Sequence, residues 1–310
     1  MVELLETLVP YAGLTALMMW LAQQGHIWLT LALSVPAAAF LVRTFIIFHD
    51  CCHGSFFRSR RANRVVGYLT GLLTLTPFDK WQRSHAVHHA TAGDLDRRGI
   101  GDVWTLTVNE YLAASKLKRL FYRVFRNPFV MLGIGPAVVF VLDNRRAPAR
   151  GTARERFSVH FTNAALVAAL VAAHQTIGLP AFLWVEVPTL LLAGAAGIWL
   201  FYVQHQFEDA YWARRPAWEP VRAALEGSSY YKLPAVLQWF TGNIGIHHVH
   251  HFQPRVPFYN LPRCRAAVPA FRAVPPLAIR RSLHSLRLRL VDEASGRMVS
   301  WAEVRAPRPN

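Results

Sequence analysis

The sequence predicts an all-α integral membrane protein. In this fold class, four transmembrane helices carry a helical cytoplasmic cap with a histidine-rich dinuclear metal site. Three observations support it. The 310 residues are 53% hydrophobic although 34 of them are Lys or Arg, as is typical of membrane proteins with basic cytoplasmic parts. Four apolar stretches are long enough to cross a bilayer, which takes about 20 residues. Three histidine clusters have the spacing of one helical face.

The predicted spans fix an orientation. Arginines follow the second and fourth spans and precede the third, whereas the connections 22–26 and 178–179 contain no Lys or Arg. The positive-inside rule therefore puts both termini and all histidine clusters of a multi-pass membrane protein in the cytoplasm. Arg43, late in the second span, is expected to snorkel toward the nearer interface. The spans run over residues 4–21, 27–48, 157–177 and 180–203.

Two shorter apolar stretches, 65–78 and 129–142, each contain Gly, Pro or both. We expect them to lie in the membrane interface or to dip into it, and buried core helices are the alternative. The sequence suggests a membrane domain over 1–261 and a basic tail over 262–310. Leucines and arginines between Arg280 and Arg289 predict a basic amphipathic helix in that tail, on the membrane or in solvent.

The formal charge of +16 is compatible with several anionic partners. We expect no nucleic acid partner, because the long apolar runs favour an anionic membrane leaflet or an acidic protein. Three cysteines give no disulfide framework and suit a reducing compartment.

Eight histidines occur at metal-ligand spacing, either i, i+4 or i, i+3, i+4 on a helix. Neutral imidazole is the commonest protein metal ligand. The alternatives for one such cluster are a solvated polar turn and an expression tag, and a tag is disfavoured because the clusters are internal and have aromatic and apolar neighbours. Eight ligands are too many for one ion and suit two. The predicted ligands are His49, His53, His85, His88, His89, His247, His250 and His251.

Imidazole suits iron, copper, nickel and zinc. The near absence of thiolates argues against copper(I) and iron–sulfur sites, and we favour two oxygen-activating iron ions. His205, at the cytoplasmic end of the fourth span, is a ninth candidate ligand. Asn243 is a candidate weak ligand or, alternatively, a helix N-cap. His248 lies about 100° around a helix from His247 and is left out of the ligand set.

Ligating histidines usually donate their second N–H group to a carboxylate or carbonyl. Several acidic residues lie within or near the clusters, and each alone is more often a surface charge. The candidates for this supporting role are Asp50, Asp94, Asp96, Asp102, Glu208 and Asp209.

At this point the sequence resembles the membrane fatty acid desaturases, and most closely their bacterial and plastid acyl-lipid branch (omega-6, delta-12-like). The resemblance covers most of the chain between residues 43 and 261. The motifs that carry it are His49-Asp-Cys-Cys-His53, His85-Ala-Val-His88-His89, Gly101-Asp-Val-Trp104, Tyr202-Val-Gln-His205 and Gly242-Asn-Ile-Gly-Ile-His247-His-Val-His250-His251.

The resemblance implies an enzyme that uses O2 and two electrons at a di-iron centre to introduce a double bond into an acyl chain. The eight cluster histidines, and His205 as a ninth, are then iron ligands, with no catalytic side chain beyond them. No His-Pro-Gly-Gly haem motif is present, so a separate ferredoxin or cytochrome b5-like donor is implied. The implied substrate is an acyl-lipid or another acyl chain, and the bacterial branch implies a location in a bacterial inner membrane.

Two other functions stay open at this stage. A hydroxylase or ketolase of the same superfamily, acting on an acyl chain, alkane or carotenoid, has the same histidines. A histidine-rich metal transporter is a remote alternative. It predicts ionisable groups at the membrane midplane, whereas the histidines here lie at span ends and in basic loops.

Overall fold

The computed structural model of the chain describes residues 1–305. Residues 306–310, the end of the predicted basic tail, lie outside the described residues. The chain divides into two compact units. The first contains Met1–Arg83, Leu132–Ile198 and Trp239–Gly242, and the second contains Ser84–Met131, Trp199–Gln238 and the chain from Asn243 onward.

Helices dominate the described chain, as predicted. They are α1 (Val2–Gln23), α2 (Ile27–His53), α3 (Arg60–Leu73), α4 (Phe78–Thr91), α5 (Val108–Ala113), α6 (Lys116–Phe125), α7 (Gly135–Ala137), α8 (Ala153–Thr176), α9 (Leu179–His205), α10 (Pro220–Leu225), α11 (Ala235–Phe240), α12 (His247–Phe252), α13 (Leu261–Ala267), α14 (Pro269–Ala273), α15 (Ile279–Ser282) and α16 (Trp301–Arg305).

The four predicted spans are confirmed as the helices α1, α2, α8 and α9, which are long and apolar enough to cross a membrane. Three of them, α1, α2 and α9, end beyond their predicted last residues. Helix α2 continues past residue 48 because no helix breaker occurs before Gly54, whose φ of 67° is left-handed. Helix α9 continues to His205. The histidines at these ends therefore have helical backbones.

Arg43 does not snorkel as predicted. Its side chain is buried, forms an ion pair with Glu3, and donates hydrogen bonds to Thr7 and to the carbonyl of Trp239. The guanidinium also stacks 3.9 Å from the centre of the Trp239 ring. Helix α1 thus supplies a counter-charge, and the cation is stabilised inside the first unit.

The two short apolar stretches fold differently from simple helices. Residues 65–78 include the end of α3 and a break before α4. Residues 129–142 fall in a helical run with π-helical turns at Val130–Ile134 and Val138–Asp143, on either side of α7 and its Pro136. Together with α6 this run has the length and composition of a broken fifth span. Their place at the membrane interface stays a prediction.

Five short strands, which the sequence did not predict, occur among the described residues of the second unit. Strand β1 (Leu106–Thr107) pairs in parallel with β4 (Leu288–Asp292), and β4 pairs antiparallel with β5 (Arg297–Ser300). Strand β2 (Tyr230–Lys232) pairs in parallel with β3 (Pro276–Ala278).

The amphipathic helix predicted over residues 280–289 is wrong. Helix α15 ends at Ser282, a 3₁₀ turn follows over Leu283–Arg287, and β4 begins at Leu288. The reason is tertiary: Leu288 and Leu290 are buried, and Leu290 lies opposite Leu106 in β1. The predicted domain boundary at residue 261 stays a prediction.

Candidate metal centre

Helix α12 presents its histidines on two sides. His247, His250 and His251 lie at i, i+3 and i+4. His248 faces another direction, and its Nε2 donates a hydrogen bond to the carbonyl of Phe271 at 3.1 Å. The exclusion of His248 from the ligand set agrees with this contact.

The turn before α12 requires a glycine. Gly245 accepts a hydrogen bond from the N–H of Tyr231 at 2.7 Å. A Cβ atom at this position would meet the Tyr231 carbonyl oxygen at 2.3 Å. The close approach to β2 holds the start of α12 in place, because only glycine fits there.

Four imidazoles from three helices converge in the second unit. His88 of α4, His205 of α9, and His247 and His251 of α12 each offer a ring nitrogen, and these nitrogens lie within 4.8 Å of one another. The Nε2 atom of His205 is 3.2 Å from that of His88 and 3.0 Å from that of His247. We call these four residues the His88 group. Three of the four were predicted from spacing, and His205 from its place at the span end.

Hydrogen bonds at the opposite ring nitrogens define the chemistry of this group. His88 Nδ1 lies 2.5 Å from the Asp102 carboxylate, and His205 Nδ1 lies 3.2 Å from the Gly227 carbonyl. Both oxygens only accept, so in the neutral imidazoles each Nδ1 carries the proton and each Nε2 has a lone pair. Two lone pairs then face each other at 3.2 Å. Two facing lone pairs repel each other, and a cation bound between them would remove this repulsion.

His251 fits the same interpretation. Its Nε2 atom is buried and has no hydrogen-bond partner in the described part of the chain. Burial, with the neighbouring imidazoles of His89 and His247, lowers the pKa of His251 well below its usual range. The ring is therefore neutral at physiological pH, which is the form that binds a metal.

A second cluster in this unit contains His85 and His89 of α4 and His250 of α12, which we call the His85 group. The Nε2 of His89 lies 3.1 Å from that of His85 and 3.0 Å from that of His250. Helices α4 and α12 thus supply histidines to both groups, since the i, i+3, i+4 pattern lets one helix face two neighbouring positions.

His49 and His53 lie in the first unit, on the last turn of α2, with ring centres 4.7 Å apart. His49 Nδ1 is 3.1 Å from the carboxylate of Asp50. Their participation in a metal site stays a prediction.

Comparisons with known proteins identify the family. A family model described as fatty acid desaturase matches residues 26–281. The chain is 48% identical over 305 residues to a fatty acid desaturase of Bacillus subtilis (strain 168), covering 98% of this chain and 86% of the relative. The chain belongs to the fatty acid desaturase family. The resemblance seen in the sequence is thereby confirmed, and the protein is an integral membrane member of an oxidoreductase family.

More distant relatives in this family have more specific names. The chain is 28% identical over 233 residues to the sn-1 oleoyl-lipid 12-desaturase of Synechocystis, covering 71% of this chain and 63% of the relative. It is 28% identical over 268 residues to the sn-2 acyl-lipid omega-3 desaturase (ferredoxin), chloroplastic, of Arabidopsis thaliana, covering 78% of this chain and 52% of the relative. The chain thus spans about half to two thirds of these two relatives.

Two predicted supporting residues occupy other positions in this desaturase. Glu208 was predicted to orient an imidazole, but its side chain is 45% exposed and lies 3.8 Å from Arg297. Helix α9 has ended at His205, so the chain turns away before Glu208. Asn243 is not the N-cap of α12, which is Ile246. The Asn243 amide donates to the Phe258 carbonyl at 3.3 Å and has a left-handed φ of 54°.

Two hydrogen-bond partners of the His88 group were harder to predict from the sequence. Asp102 was one of several candidate carboxylates, and the structure places it on His88. The carbonyl of Gly227 has no side-chain signal at all. Gly101, with a φ of 73°, brings Asp102 to α4, and a Cβ atom there would meet the Ser84 carbonyl at 2.9 Å and the His88 Cβ at 3.1 Å.

Proposed function

We propose that this protein is an acyl-lipid desaturase, which removes two hydrogens from an unactivated –CH2–CH2– unit of a membrane lipid. The reaction balances when one such unit, one O2, two electrons and two protons give one –CH=CH– unit and two waters. The observation that carries the proposal is the convergence of the four imidazoles of the His88 group within 4.8 Å. Two related proteins are named for acyl-lipid or oleoyl-lipid substrates.

Two iron ions are the metals we propose. Imidazole donors without thiolates suit iron, which would supply the redox chemistry with O2 when bound. The His88 group holds one ion. With the His85 group, and with the predicted ligands His49 and His53, nine imidazoles would serve two ions. Asp102 and the Gly227 carbonyl keep the Nδ1 protons of His88 and His205 in place, which leaves their Nε2 lone pairs for the metal.

The proposed topology puts both termini and the metal site in the cytoplasm, for a protein of a bacterial inner membrane. Its support is the distribution of arginines, which are absent from residues 22–26 and frequent between Arg58 and Arg64. Cysteines introduced at 22–26 should react with an impermeant reagent from the periplasmic side, and those at Arg58–Arg64 should not. The reverse labelling pattern would overturn this placement.

The electron donor we propose is a separate acidic ferredoxin or cytochrome b5-like protein. The formal charge of +16 favours an acidic partner through electrostatic steering. One relative's name includes ferredoxin. Turnover with such a donor should therefore fall steeply as ionic strength rises.

Expression in a host without polyunsaturated lipids tests the reaction. Double-bond mapping of the membrane lipids should show a new double bond, and metal analysis should give about two irons per chain. A matched host expressing His251→Ala should show neither the product nor the full iron content. Hydroxylated or keto lipids would assign the protein to an oxygenase instead, and exchangeable zinc without product would support a transporter.

A further inference from the structure

Helix α6 has the reverse of the usual amphipathic arrangement. The side chains of Leu117, Leu120 and Phe121 are 62%, 57% and 59% exposed. Tyr122 is fully buried on the opposite side. Apolar residues at i, i+3 and i+4 thus form an outward stripe that water would not stabilise. The stripe requires an apolar partner.

The charges around this stripe indicate which partner fits. Lys116 and Lys118 are exposed and, at 100° per residue, lie on either side of Leu117. Two lysine charges cannot lie in the hydrocarbon core of a bilayer, so the whole helix is not immersed there. At the depth of the phosphate headgroups the same charges are favourable. The chain continues from α6 to Phe129, which is 87% exposed, and then to the apolar run ending at Asp143.

We propose that the outer face of α6 is a lipid-binding surface, which lies in the bilayer interface and binds anionic phospholipid headgroups through Lys116 and Lys118. Continuity with a run that has membrane-span composition supports the bilayer as occupant. This surface is independent of the redox chemistry proposed above.

Nitroxide labels in nanodiscs test this surface. The full chain carries Cys264→Ser, and Cys51 and Cys52 are buried. One label replaces Phe121, and the control label replaces Glu226, a half-exposed residue of the same unit. In discs of phosphatidylcholine with phosphatidylglycerol, oxygen should relax the Phe121 label more than a water-soluble nickel chelate does. The Glu226 label should show the reverse.

Three results would overturn the lipid surface. Equal nickel access at both labels would leave the stripe in water. Dipolar broadening between Phe121 labels would assign it to a second copy, and shielding only after an acidic ferredoxin is added would assign it to a donor. Lys116→Gln with Lys118→Gln should remove the dependence of the Phe121 signal on phosphatidylglycerol, while the signal in pure phosphatidylcholine stays unchanged.

A second, independent observation concerns Arg126, whose side chain is 1% exposed. It has no ion-pair partner among the described residues. Its guanidinium donates instead to Gln206 Oε1 at 2.8 Å, Tyr202 Oη at 3.1 Å and the Leu288 carbonyl at 3.2 Å. A buried cation needs such hydrogen bonds, because desolvation without them costs several kcal/mol.

The acceptors of Arg126 connect two ligands of the His88 group. Tyr202 and Gln206 lie on either side of His205 in the sequence, and Gln206 Nε2 donates to Thr105 Oγ1 at 3.3 Å. Thr105 follows Asp102, the partner of His88, by three residues. The Arg126 guanidinium therefore holds both the end of α9 around His205 and the loop that contains Asp102 and Thr105.

We infer that Arg126 is a positioning residue for His88 and His205. The inference rests on the proposed metal site. Arg126→Gln should weaken binding at one of two cobalt(II) sites by about 10–100-fold, the usual effect of groups that orient ligands. Arg126→Lys should recover part of this loss. The matched control is Arg145→Gln, a partly buried arginine of the first unit that donates to Asn163 and to the Leu75 carbonyl, and it should leave both sites unchanged.

Titration of metal-free protein with Co2+, followed by visible absorption, gives the readout. Thr105→Val is nearly isosteric and keeps Arg126, so it tests the same link if Arg126→Gln does not fold. Thr105→Val should weaken Co2+ binding a few-fold at the same site. Equal weakening of both sites, or none in either variant, would overturn the inference. Fewer than two Co2+ bound by the unsubstituted protein would instead refute the proposed metal site.

Discussion

Two described contacts between a carboxylate and a predicted ligand histidine differ in how the carboxylate is supplied. Asp50 adjoins His49 on the same helix and lies 3.1 Å from its Nδ1. Asp102 reaches His88 at 2.5 Å from a separate loop, which approaches α4 through Gly101. The first contact joins two sequence neighbours on one helix. The second depends on the fold of the whole second unit, so we expect it to be the more easily disrupted.

The largest expected effect is that of His205→Ala. Its Nε2 lies within 3.2 Å of His88 Nε2 and at 3.0 Å from His247 Nε2, so its loss opens the His88 group. We expect loss of one metal and nearly all activity, measured as iron content and lipid desaturation. His284→Ala, at an exposed histidine of the same unit, should change neither. Two irons with normal turnover in His205→Ala would show that His205 is not a ligand.

The next effect compares the two carboxylates directly. Asp102→Asn should weaken Co2+ binding by about 10–100-fold, because an amide no longer holds the Nδ1 proton of His88 as strongly. Asp50→Asn should weaken Co2+ binding less, because the helix still orients His49. Glu208→Gln is the control, since Glu208 pairs with Arg297 at the surface, and it should be nearly silent. Equal losses of Co2+ affinity in all three variants would show that Asp102 and Asp50 do not differ in how they support the histidines.

The sequence predicted the parts of this molecule that depend on local periodicity. Long apolar runs predicted four spans, and the i, i+3, i+4 spacing predicted which histidines of α4 and α12 lie close together. Remote pairing was not visible. Leu290 lies opposite Leu106, from which it is separated by 184 positions in the sequence, and no local pattern predicts a two-residue strand. Arg43 was misjudged for the same reason, because its partner Glu3 lies on another helix.

The same limit applies to the supports of the ligands. Glu208 was preferred because it lies near His205 in sequence, yet the acceptor of His205 is the backbone carbonyl of Gly227. A carbonyl carries no residue-type signal. Only the folded chain distinguishes Asp102 from the other nearby carboxylates.

A smaller effect is expected for Gly101→Ala. The φ of 73° costs about 1 kcal/mol for alanine, and the added Cβ meets the Ser84 carbonyl at 2.9 Å. We expect Co2+ binding to weaken several-fold as Asp102 shifts from His88. Gly99→Ala has a φ of 112° and no atom within 4 Å of its Cβ, so it separates backbone strain from the clash. Equal metal affinities in the two variants would show that strain alone is responsible.

The smallest expected effect concerns Arg214, which holds two surface carboxylates of the second unit. It lies 2.7 Å from Asp96 and 2.8 Å from Glu293. The backbone N–H of Arg215, with the Arg214 side chain, lowers the pKa of Asp96, and the Arg214 side chain lowers the pKa of Glu293. The unfolded chain therefore binds protons more readily at these groups than the folded chain does.

The lowered pKa values of Asp96 and Glu293 set the pH range in which Arg214 stabilises the fold. The stabilisation is fully present above the unfolded pKa of about 4 and is lost as pH falls through the lower folded values. Because the groups are exposed, Arg214→Gln should lower Tm by only about 2 °C at pH 7. The difference from the unsubstituted protein, measured by thermal unfolding in one detergent, should shrink below about pH 4. A difference that stays constant down to pH 3 would mean that Arg214 stabilises the unit by packing and not by charge.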